Sequence, residues 1–271
     1  MSADSKFVSY VFWVKNYTHM ENKVNKRVTI HHQAGSNSPQ KIAQMFNGER
    51  KASSNYAIAN DGTISQMVKE SDRAWTSGGQ ATKYVRYPGK GGENDAQAVT
   101  IEVANSKGAP TWEISAEAWK SLIRLCADIC IRNNIKPSYT GDNNGTFTLH
   151  NFYAATACPG RYIQEHMPQI VEEVKAEIQR QKSAGVTTTP ATPATPAVLY
   201  KVQTGAFTRE ANARKQSAAL YKANIQNVVK KEGKFYKVQV GAYRVKSNAE
   251  EMLQNVKKLG FKDAYIKEET L

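Results

Sequence analysis

The 271-residue chain has few cysteines and no long apolar run. Its three cysteines cannot form a disulfide framework, so a disulfide-stabilised secreted class is excluded and synthesis in a reducing cytoplasm is favoured. No stretch approaches the roughly 20 apolar residues of a membrane-spanning helix, so we expect no membrane insertion. The N-terminus has no basic segment followed by an apolar one, which predicts that no signal peptide is present. Such a chain would be made in the host cytoplasm and would act outside it only after release.

Two common catalytic patterns are also missing. The sequence contains neither a Gly-x-Ser-x-Gly nucleophile motif nor a phosphate-binding Walker loop. A glycosidase would need two facing carboxylates, but only Glu102 is embedded in an apolar strand. The glycine-rich segment 88–95 does not lie between a strand and a helix, and we expect a flexible rim loop there.

A Pro-, Thr- and Ala-rich segment divides the chain. Residues 182–198 contain almost no large apolar side chain, which predicts a linker between a domain at 1–181 and another at 199–271. The net charge of +13 is concentrated in the tail, since residues 200–271 hold 15 Lys and Arg against 7 Asp and Glu. This balance favours a polyanion or an anionic surface as the partner of the tail.

The second domain contains an internal repeat. YKVQTGAF at residues 200–207 recurs as YKVQVGAY at 236–243, and a helix-like stretch and a short strand follow each copy. The order β-α-β-β-α-β predicts a small α+β domain of the split βαβ, ferredoxin-like type, with its helices on one sheet face.

Strand alternation predicts which tail residues face away from those helices. Amides and cations on an open sheet suit a polar glycan, although they could equally be ordinary solvated strand residues. The predicted glycan-binding residues are Lys201, Gln203, Lys237 and Gln239.

The first domain shows mixed helix and strand signals. Apolar alternation and helical periodicity predict strands, helices and one glycine-turn hairpin. The predicted elements are a strand from Val28 into His31, a helix over 40–46, a hairpin around 60–62, a strand over 98–104 and helices over 115–132 and 167–181.

Three side chains are candidate ligands of a metal ion. His150 precedes Cys158 by seven intervening residues, and the Pro-Gly pair after Cys158 predicts a turn that could direct the sulfur inward. Imidazole and thiolate are good zinc ligands, and His31 at a strand end is the natural third. Three protein ligands leave one tetrahedral position open, which is typical of catalytic zinc. A purely structural role for the His-x7-Cys pair remains the alternative.

Glu102 strengthens the catalytic interpretation. It lies within the apolar strand 98–104, and burying an unpaired charge there would cost several kcal/mol. Because side chains alternate along a strand, Glu102 can face the metal ligands and accept a proton from water. His32 could support the site, contact substrate or simply pack, whereas Cys126 and Cys130 are expected in the core and His166 at a solvated helix cap.

An ordered set of motifs carries a family resemblance. These motifs are IHHQAG at 30–35, SSNYAI at 53–58, AW at 74–75, TIEVAN at 100–105 and TACPG at 156–160. Over roughly residues 5–181, the chain resembles the zinc-dependent N-acetylmuramoyl-L-alanine amidases of the phage-lysozyme and peptidoglycan-recognition-protein superfamily, clostridial phage endolysins in particular. The tail resembles the SPOR domain, which binds peptidoglycan glycan strands.

The resemblance implies an α/β fold with a mixed central β-sheet flanked by helices. It also implies Zn²⁺ held by His31, His150 and Cys158, with Glu102 as the catalytic glutamate. Thr156, where some relatives have a lysine, would support the oxyanion. The residues expected to contact the sugar and stem peptide are Asn55, Trp75 and Asn105.

The function expected from this resemblance is hydrolysis of the amide bond between N-acetylmuramic acid and L-alanine. The enzyme would be an endolysin or autolysin, and its tail would bind the glycan strands of peptidoglycan. A non-catalytic peptidoglycan-binding receptor is the alternative. Nucleic acid is not expected as a partner, because the basic tail lacks an RNP pattern.

Overall fold

The computed structural model describes residues 3–48, 51–78, 90–184, 198–223, 225, 227–243 and 246–270. The chain divides into two units, Met1–Thr188 and Thr189–Leu271, which we describe separately. Most of the proposed linker, 182–198, lies outside the described residues. None of the described helices combines the length and the apolar character needed to cross a membrane.

A six-stranded sheet forms the centre of the N-terminal unit. In spatial order its strands are β1 (Tyr10–Val11), β5 (Ile64–Gln66), β4 (Tyr56–Ile58), β7 (Ala98–Val103), β3 (Arg27–His32) and β8 (Phe147–Leu149). The four strands from β4 to β8 are parallel, whereas β5 is antiparallel to β4. A separate antiparallel ribbon pairs β2 (Tyr17–Thr18) with β6 (Arg73–Ala74). The mixed sheet confirms the predicted fold class.

Helices flank this sheet. Those described in the N-terminal unit are α1 (Pro39–Asn47), α2 (Gly91–Asp95), α3 (Ala116–Arg132) and α4 (Arg161–Ala184). Helices α1 and α3 begin at serine caps, because the side chains of Ser38 and Ser115 accept backbone N–H groups of the first turn. The helix α2 occupies residues 91–95 of the segment where we expected a flexible rim loop, and residues 88 and 89 of that segment lie outside the described residues.

The last helix of the unit begins six residues before the predicted start at 167. His166 therefore lies inside α4 and is not the solvated cap that we expected. Its ring stacks on Tyr162, with the ring centroids 4.2 Å apart, and its Nδ1 lies 2.8 Å from the Tyr162 carbonyl oxygen. The prediction was wrong because the helix extends back to Arg161 and continues through Pro168.

The sheet separates two apolar cores because alternate side chains of a strand face opposite ways. Val28 and Ile30 of β3 belong to the core that includes α3 and α4. Ala57 of β4 belongs to the core that includes α1, on the other face. By the same alternation His31 projects away from α3 and α4, so the functional face is the one opposite these two long helices.

The C-terminal unit follows the predicted order β-α-β-β-α-β. Its elements are β9 (Val198–Phe207), α5 (Glu210–Lys222), β10 (Val228–Glu232), β11 (Phe235–Tyr243), α6 (Lys246–Lys258) and β12 (Tyr265–Thr270). The strands form an antiparallel sheet in the order β10-β11-β9-β12. Its core joins Val202 and Val238 of the central strands to Leu220 of α5 and Val256 of α6.

Two of the predicted glycan-binding amides are not open to solvent. Gln203 is fully buried and Gln239 is 8% exposed. The Tyr265 hydroxyl, on the neighbouring strand β12, donates a hydrogen bond to Gln203 Oε1 at 2.6 Å. The expectation of exposed amides was wrong because cross-strand neighbours cover them.

The two lysines predicted for the same surface are held by carboxylates of neighbouring strands. Lys201 forms an ion pair with Glu269, and Lys237 forms one with Glu232 at 2.6 Å. Their side chains keep 14% and 17% exposure, respectively. This surface is therefore a network of charged pairs rather than a row of free cations.

Candidate metal centre

Two neighbouring parallel strands bring two histidines together. His31 lies near the end of β3 and is fully buried. Ile30 is paired with Leu149 of β8, and His150 begins a short 3-10 turn, His150–Phe152, directly after that strand. The residues that follow a paired position in parallel strands are themselves neighbours, and the two imidazole rings are 4.6 Å apart.

Cys158 reaches the histidines from the loop before α4. Its Sγ lies 3.7 Å from Nδ1 of His31 and accepts the backbone N–H of His32 at 3.3 Å. The exposed Thr156 accepts the backbone N–H of Cys158 at 3.1 Å and so stabilises the turn. One hydrogen bond therefore holds the sulfur of Cys158, and the other holds the turn that carries it.

The three side chains fit a zinc ion. One donor atom from each of His31, His150 and Cys158 lies within 4.8 Å of the other two. In the described part of the chain, the buried Nε2 of His150 has no hydrogen-bond partner. Tetrahedral zinc needs N and S donors about 3.6 Å apart. The 3.7 Å separation between His31 Nδ1 and Cys158 Sγ agrees with this spacing.

Burial sets the protonation of these donors. It lowers the pKa of His31 well below the usual range, and the neighbouring His150 and His32 lower it further. It lowers the pKa of His150 to about 4, although a hydrogen bond with the Gly78 backbone opposes the shift. Both imidazoles are therefore neutral at pH 7, the form that binds metals.

Glu102 lies beside this group. It is paired with His31 across β3 and β7, and directly paired strand residues project to the same side of a sheet. Burial is the main reason that the pKa of the Cys158 thiol is raised, and the charge of Glu102 raises it further. A divalent cation bound at this place would instead lower the pKa of the thiol and so favour the thiolate.

A buried polar network lies behind His31, and our sequence interpretation missed it. Ser77 Oγ lies 3.3 Å from His31 Nε2, and Asn94 Nδ2 donates to Ser77 Oγ at 3.2 Å. The Asp95 carboxylate accepts the backbone N–H groups of Thr76 at 2.9 Å and of Ser77 at 2.8 Å. With Nε2 held by Ser77, Nδ1 of His31 is the nitrogen directed at Cys158.

The short helix α2 supplies this network by packing closely against the Ser77 segment. A Cβ on Gly91 would lie 1.9 Å from the Ser77 carbonyl oxygen, so only glycine permits the contact. Five residues are too few to show a helical period, and that is why the sequence pattern did not reveal the helix.

Two of the three expected substrate contacts are buried instead. Asn55 is fully buried, donating to the Lys69 carbonyl at 2.9 Å and accepting the Thr100 N–H at 3.0 Å. Asn105 is 3% exposed and donates to the Trp112 carbonyl at 2.9 Å. These amides connect strands and loops and expose little surface, and their contact with substrate stays a prediction.

Of the remaining predicted residues, one lines a cavity and the others are packed inside the protein. Trp75 lines a cavity of about 560 Å³ that His150 also lines. His32 packs edge-on against Trp112, with ring centroids 5.0 Å apart, and burial lowers its pKa to about 4. Cys126 and Cys130, on the buried face of α3, lie in the core, as predicted.

Family models match both units. Residues 21–161 match the N-acetylmuramoyl-L-alanine amidase family, and residues 196–268 match the SPOR domain. The first match covers more than half of the chain and includes the metal group and Glu102. The comparison with curated proteins finds no match.

Solved structures to which parts of this chain are similar include the following three. The peptidoglycan binding domain of the B. subtilis cell wall lytic enzyme CwlC is 34% identical, covering 30% of this chain and 100% of that chain with a TM-score of 0.26. The N-acetylmuramoyl-L-alanine amidase LysC from Clostridium intestinale URNW is 21% identical, covering 62% and 97% with a TM-score of 0.41. Drosophila peptidoglycan recognition protein SD is 16% identical, covering 62% and 88% with a TM-score of 0.38.

Proposed function

Because the chain belongs to the N-acetylmuramoyl-L-alanine amidase family, we propose that it is a zinc-dependent hydrolase of the amide bond between N-acetylmuramic acid and L-alanine in peptidoglycan. The observation that supports this most is the convergence of His31, His150 and Cys158, whose donor atoms lie within 4.8 Å of one another. Glu102 stands directly opposite His31 in the sheet, on the same face.

Each residue of the group has a distinct part in this proposal. A zinc ion held by His31, His150 and Cys158 would polarise the scissile carbonyl and lower the pKa of a water molecule. Glu102 accepts a proton from the attacking water and delivers it to the leaving amine of L-alanine. Thr156 accepts the Cys158 N–H, so its own hydroxyl proton remains to stabilise the oxyanion that forms on the carbonyl.

The C-terminal unit would hold the enzyme on its polymer. The SPOR match supports binding of peptidoglycan glycan strands by the sheet surface that carries Lys201 and Lys237. Residues 182–198 would connect this unit to the catalytic one, so that binding of the tail raises the local concentration of scissile bonds. We propose the cell wall as the place of action, with the protein serving as an endolysin or autolysin.

The decisive experiment separates amide from glycosidic cleavage. Purified cell walls are incubated with the zinc-loaded protein, and newly exposed L-alanine amino groups and reducing sugar ends are measured in parallel. We expect amino groups alone, loss of activity with a chelator and recovery with added zinc. Release of reducing ends would contradict the proposal, and wall binding without turnover would favour a non-catalytic receptor.

A single variant tests the role of Glu102. Glu102→Gln should lower the rate by about 10²- to 10⁴-fold, the usual contribution of a general base, while zinc content is unchanged. Glu172→Gln, on the exposed face of α4, is the matched control and should keep full activity. Equal rates for Glu102→Gln and the control would contradict the assignment.

A further inference from the structure

The hydroxyl of Ser77 lies between a proposed zinc ligand and a buried carboxylate. Ser77 is fully buried, and its Oγ lies 3.3 Å from Nε2 of His31. The same oxygen accepts a hydrogen bond from Nδ2 of Asn94 at 3.2 Å. The hydroxyl also makes a hydrogen bond with the side chain of Asp95. Three polar side chains therefore meet at one hydroxyl group.

The donors and acceptors around this hydroxyl can be assigned one by one. A serine hydroxyl has one proton to donate and two lone pairs that accept. Nδ2 of Asn94 can only donate, so it uses one lone pair of Ser77. The ionised carboxylate of Asp95 can only accept, so the Ser77 proton is directed at it. One lone pair of Ser77 is then left for His31, so Nε2 of His31 carries a hydrogen and donates it to that oxygen.

Several donors hold the Asp95 carboxylate in its accepting form. The side chain is 2% exposed, and one oxygen accepts the backbone N–H groups of Thr76 at 2.9 Å and of Ser77 at 2.8 Å. Burial raises the pKa of Asp95, but the Ser77 hydroxyl and these N–H groups oppose the rise because they stabilise the charged form. The acceptor that sets the direction of the Ser77 hydroxyl is therefore itself held by the backbone.

The direction of this hydroxyl determines the tautomer of His31. A neutral imidazole carries a hydrogen on one nitrogen and a lone pair on the other, and only the lone pair can bind a metal. With the hydrogen on Nε2, the lone pair of His31 is on Nδ1, the atom that lies 3.7 Å from Sγ of Cys158. The hydrogen bonds that begin at Asp95 thus leave open the nitrogen that faces the other ligands.

We propose that Asp95 is a positioning residue that holds His31, through the hydroxyl of Ser77, in the tautomer that binds zinc by Nδ1. This inference rests on the proposed function, because it concerns the same metal group, and it adds a carboxylate that is not one of the three ligands. A histidine that must change tautomer before it binds a metal loses affinity, and loss of such a supporting group usually costs about 10- to 100-fold. The contribution of Asp95 should therefore be visible both in the tautomer of His31 and in zinc affinity.

Asp95→Asn separates this role from simple packing. The amide has the shape of the carboxylate, and its oxygen can still accept the N–H groups of Thr76 and Ser77. Its nitrogen, however, donates to the Ser77 hydroxyl, which then turns its own proton towards Nε2 of His31. The hydrogen of His31 should therefore move to Nδ1, the nitrogen that zinc needs free. Exchange of a carboxylate for an amide beside a catalytic histidine selects the wrong tautomer in the same way.

The tautomer is measured in the metal-free full chain at neutral pH. Long-range ¹H–¹⁵N spectra distinguish a ring nitrogen that carries a hydrogen from one with a lone pair, and the His31 signals are identified by their absence from His31→Gln. We expect the hydrogen on Nε2 in the wild type and on Nδ1 in Asp95→Asn. Ser77→Ala, which removes only the hydroxyl, should populate both tautomers. A wild type with the hydrogen on Nδ1, or one tautomer shared by the wild type and both variants, would overturn the proposal.

Zinc affinity is the second measurement, made by competition with a chelator. Asp95→Asn should bind zinc about 10- to 100-fold more weakly than the wild type. In a chain that already carries Ser77→Ala, Asp95→Asn should cause little further loss, because both changes act through the same hydroxyl. Asp142→Asn is the matched control, since Asp142 accepts the backbone N–H of Asn144 at 3.0 Å in the loop before β8, and it should keep the wild-type affinity. Losses that add in the double variant would contradict the role of Asp95.

The tautomer and the zinc affinity are both measured without turnover. A wild type that has the hydrogen on Nε2 of His31 but cleaves no amide would support the role of Asp95 and count against the proposed function. Cleavage by a wild type that has the hydrogen on Nδ1 would do the reverse.

Discussion

Zinc is expected to raise the melting temperature of the N-terminal unit. The donors of His31, His150 and Cys158 come from distant parts of the sequence and meet only in the folded chain, so zinc binds the native state. At a free zinc concentration 100 times Kd, this linkage contributes about 2.7 kcal/mol of stability. For a unit of this size, that free energy corresponds to an increase of about 5–11 °C in Tm.

Calorimetry of the full chain can measure this shift. The chelator-treated protein is compared with the same sample after zinc is added, and the transition of the C-terminal unit serves as an internal reference. Glu102→Gln should keep the whole increase, because the carboxylate is not one of the proposed ligands. Cys158→Ala should lose most of it, because only two donors remain.

Two results would refute this reasoning. One is a Tm that does not change with zinc in the wild type. The other is an equal increase in the wild type and in Cys158→Ala, which would place the bound zinc elsewhere.

Three further changes have defined expected outcomes. Ser77→Ala should lower zinc affinity about 10- to 100-fold, because the group that orients a ligand histidine is lost, and competition with a chelator measures this. Gly160→Ala should lower the free energy of unfolding of the metal-free protein, measured in urea, by about 1–3 kcal/mol. The reason is that φ is +84° and a Cβ would lie 2.5 Å from Cβ of Trp112. Burial raises the pKa of Asp4, but hydrogen bonds, foremost with Lys69, lower it more, to a value below the usual 3.8. Its stabilising effect is thus present above pH 3.8 and lost as the pH falls. Asp4→Asn, in a partly exposed pair, should cost about 1 kcal/mol at pH 7 and nothing near pH 2 in urea unfolding.

Each of these changes has a control or a contradicting result. Ser106→Ala removes an exposed serine hydroxyl and should leave zinc affinity unchanged. Gly108→Ala adds a Cβ that meets no atom within 4 Å, so a similar loss of stability there would contradict the steric argument. A pH-independent effect of Asp4→Asn would show that the carboxylate charge is not what stabilises the fold.

Local pattern was enough to predict most elements of the fold. A nearly continuous apolar run identified the strand that carries Glu102, and the repeated YKVQ segment indicated the split βαβ tail before any contact was known. The metal group could be predicted because His31, His150 and Cys158 have side chains whose chemistry suits zinc whatever surrounds them. The structure brings the three donors within 4.8 Å of one another, and zinc binding by them stays a prediction.

Which polar residues are buried was harder to predict than which side chains could bind zinc. We expected Asn55 to contact substrate and Gln203 to face solvent, yet both side chains are fully buried. Ser77 and Asp95 have no distinctive spacing, and their relation to His31 exists only because α2 packs against a distant segment.

The sequence by itself determined most of the elements and their order, the pattern of an α/β region followed by a repeated α+β region, and the types of side chain available for catalysis. These features depend on periodicity and residue chemistry, which are local properties of the chain. Only the tertiary structure decided which polar groups are buried and which nitrogen of His31 is directed at Cys158. Those features depend on contacts between residues far apart in the chain, and such contacts form only when the whole unit folds.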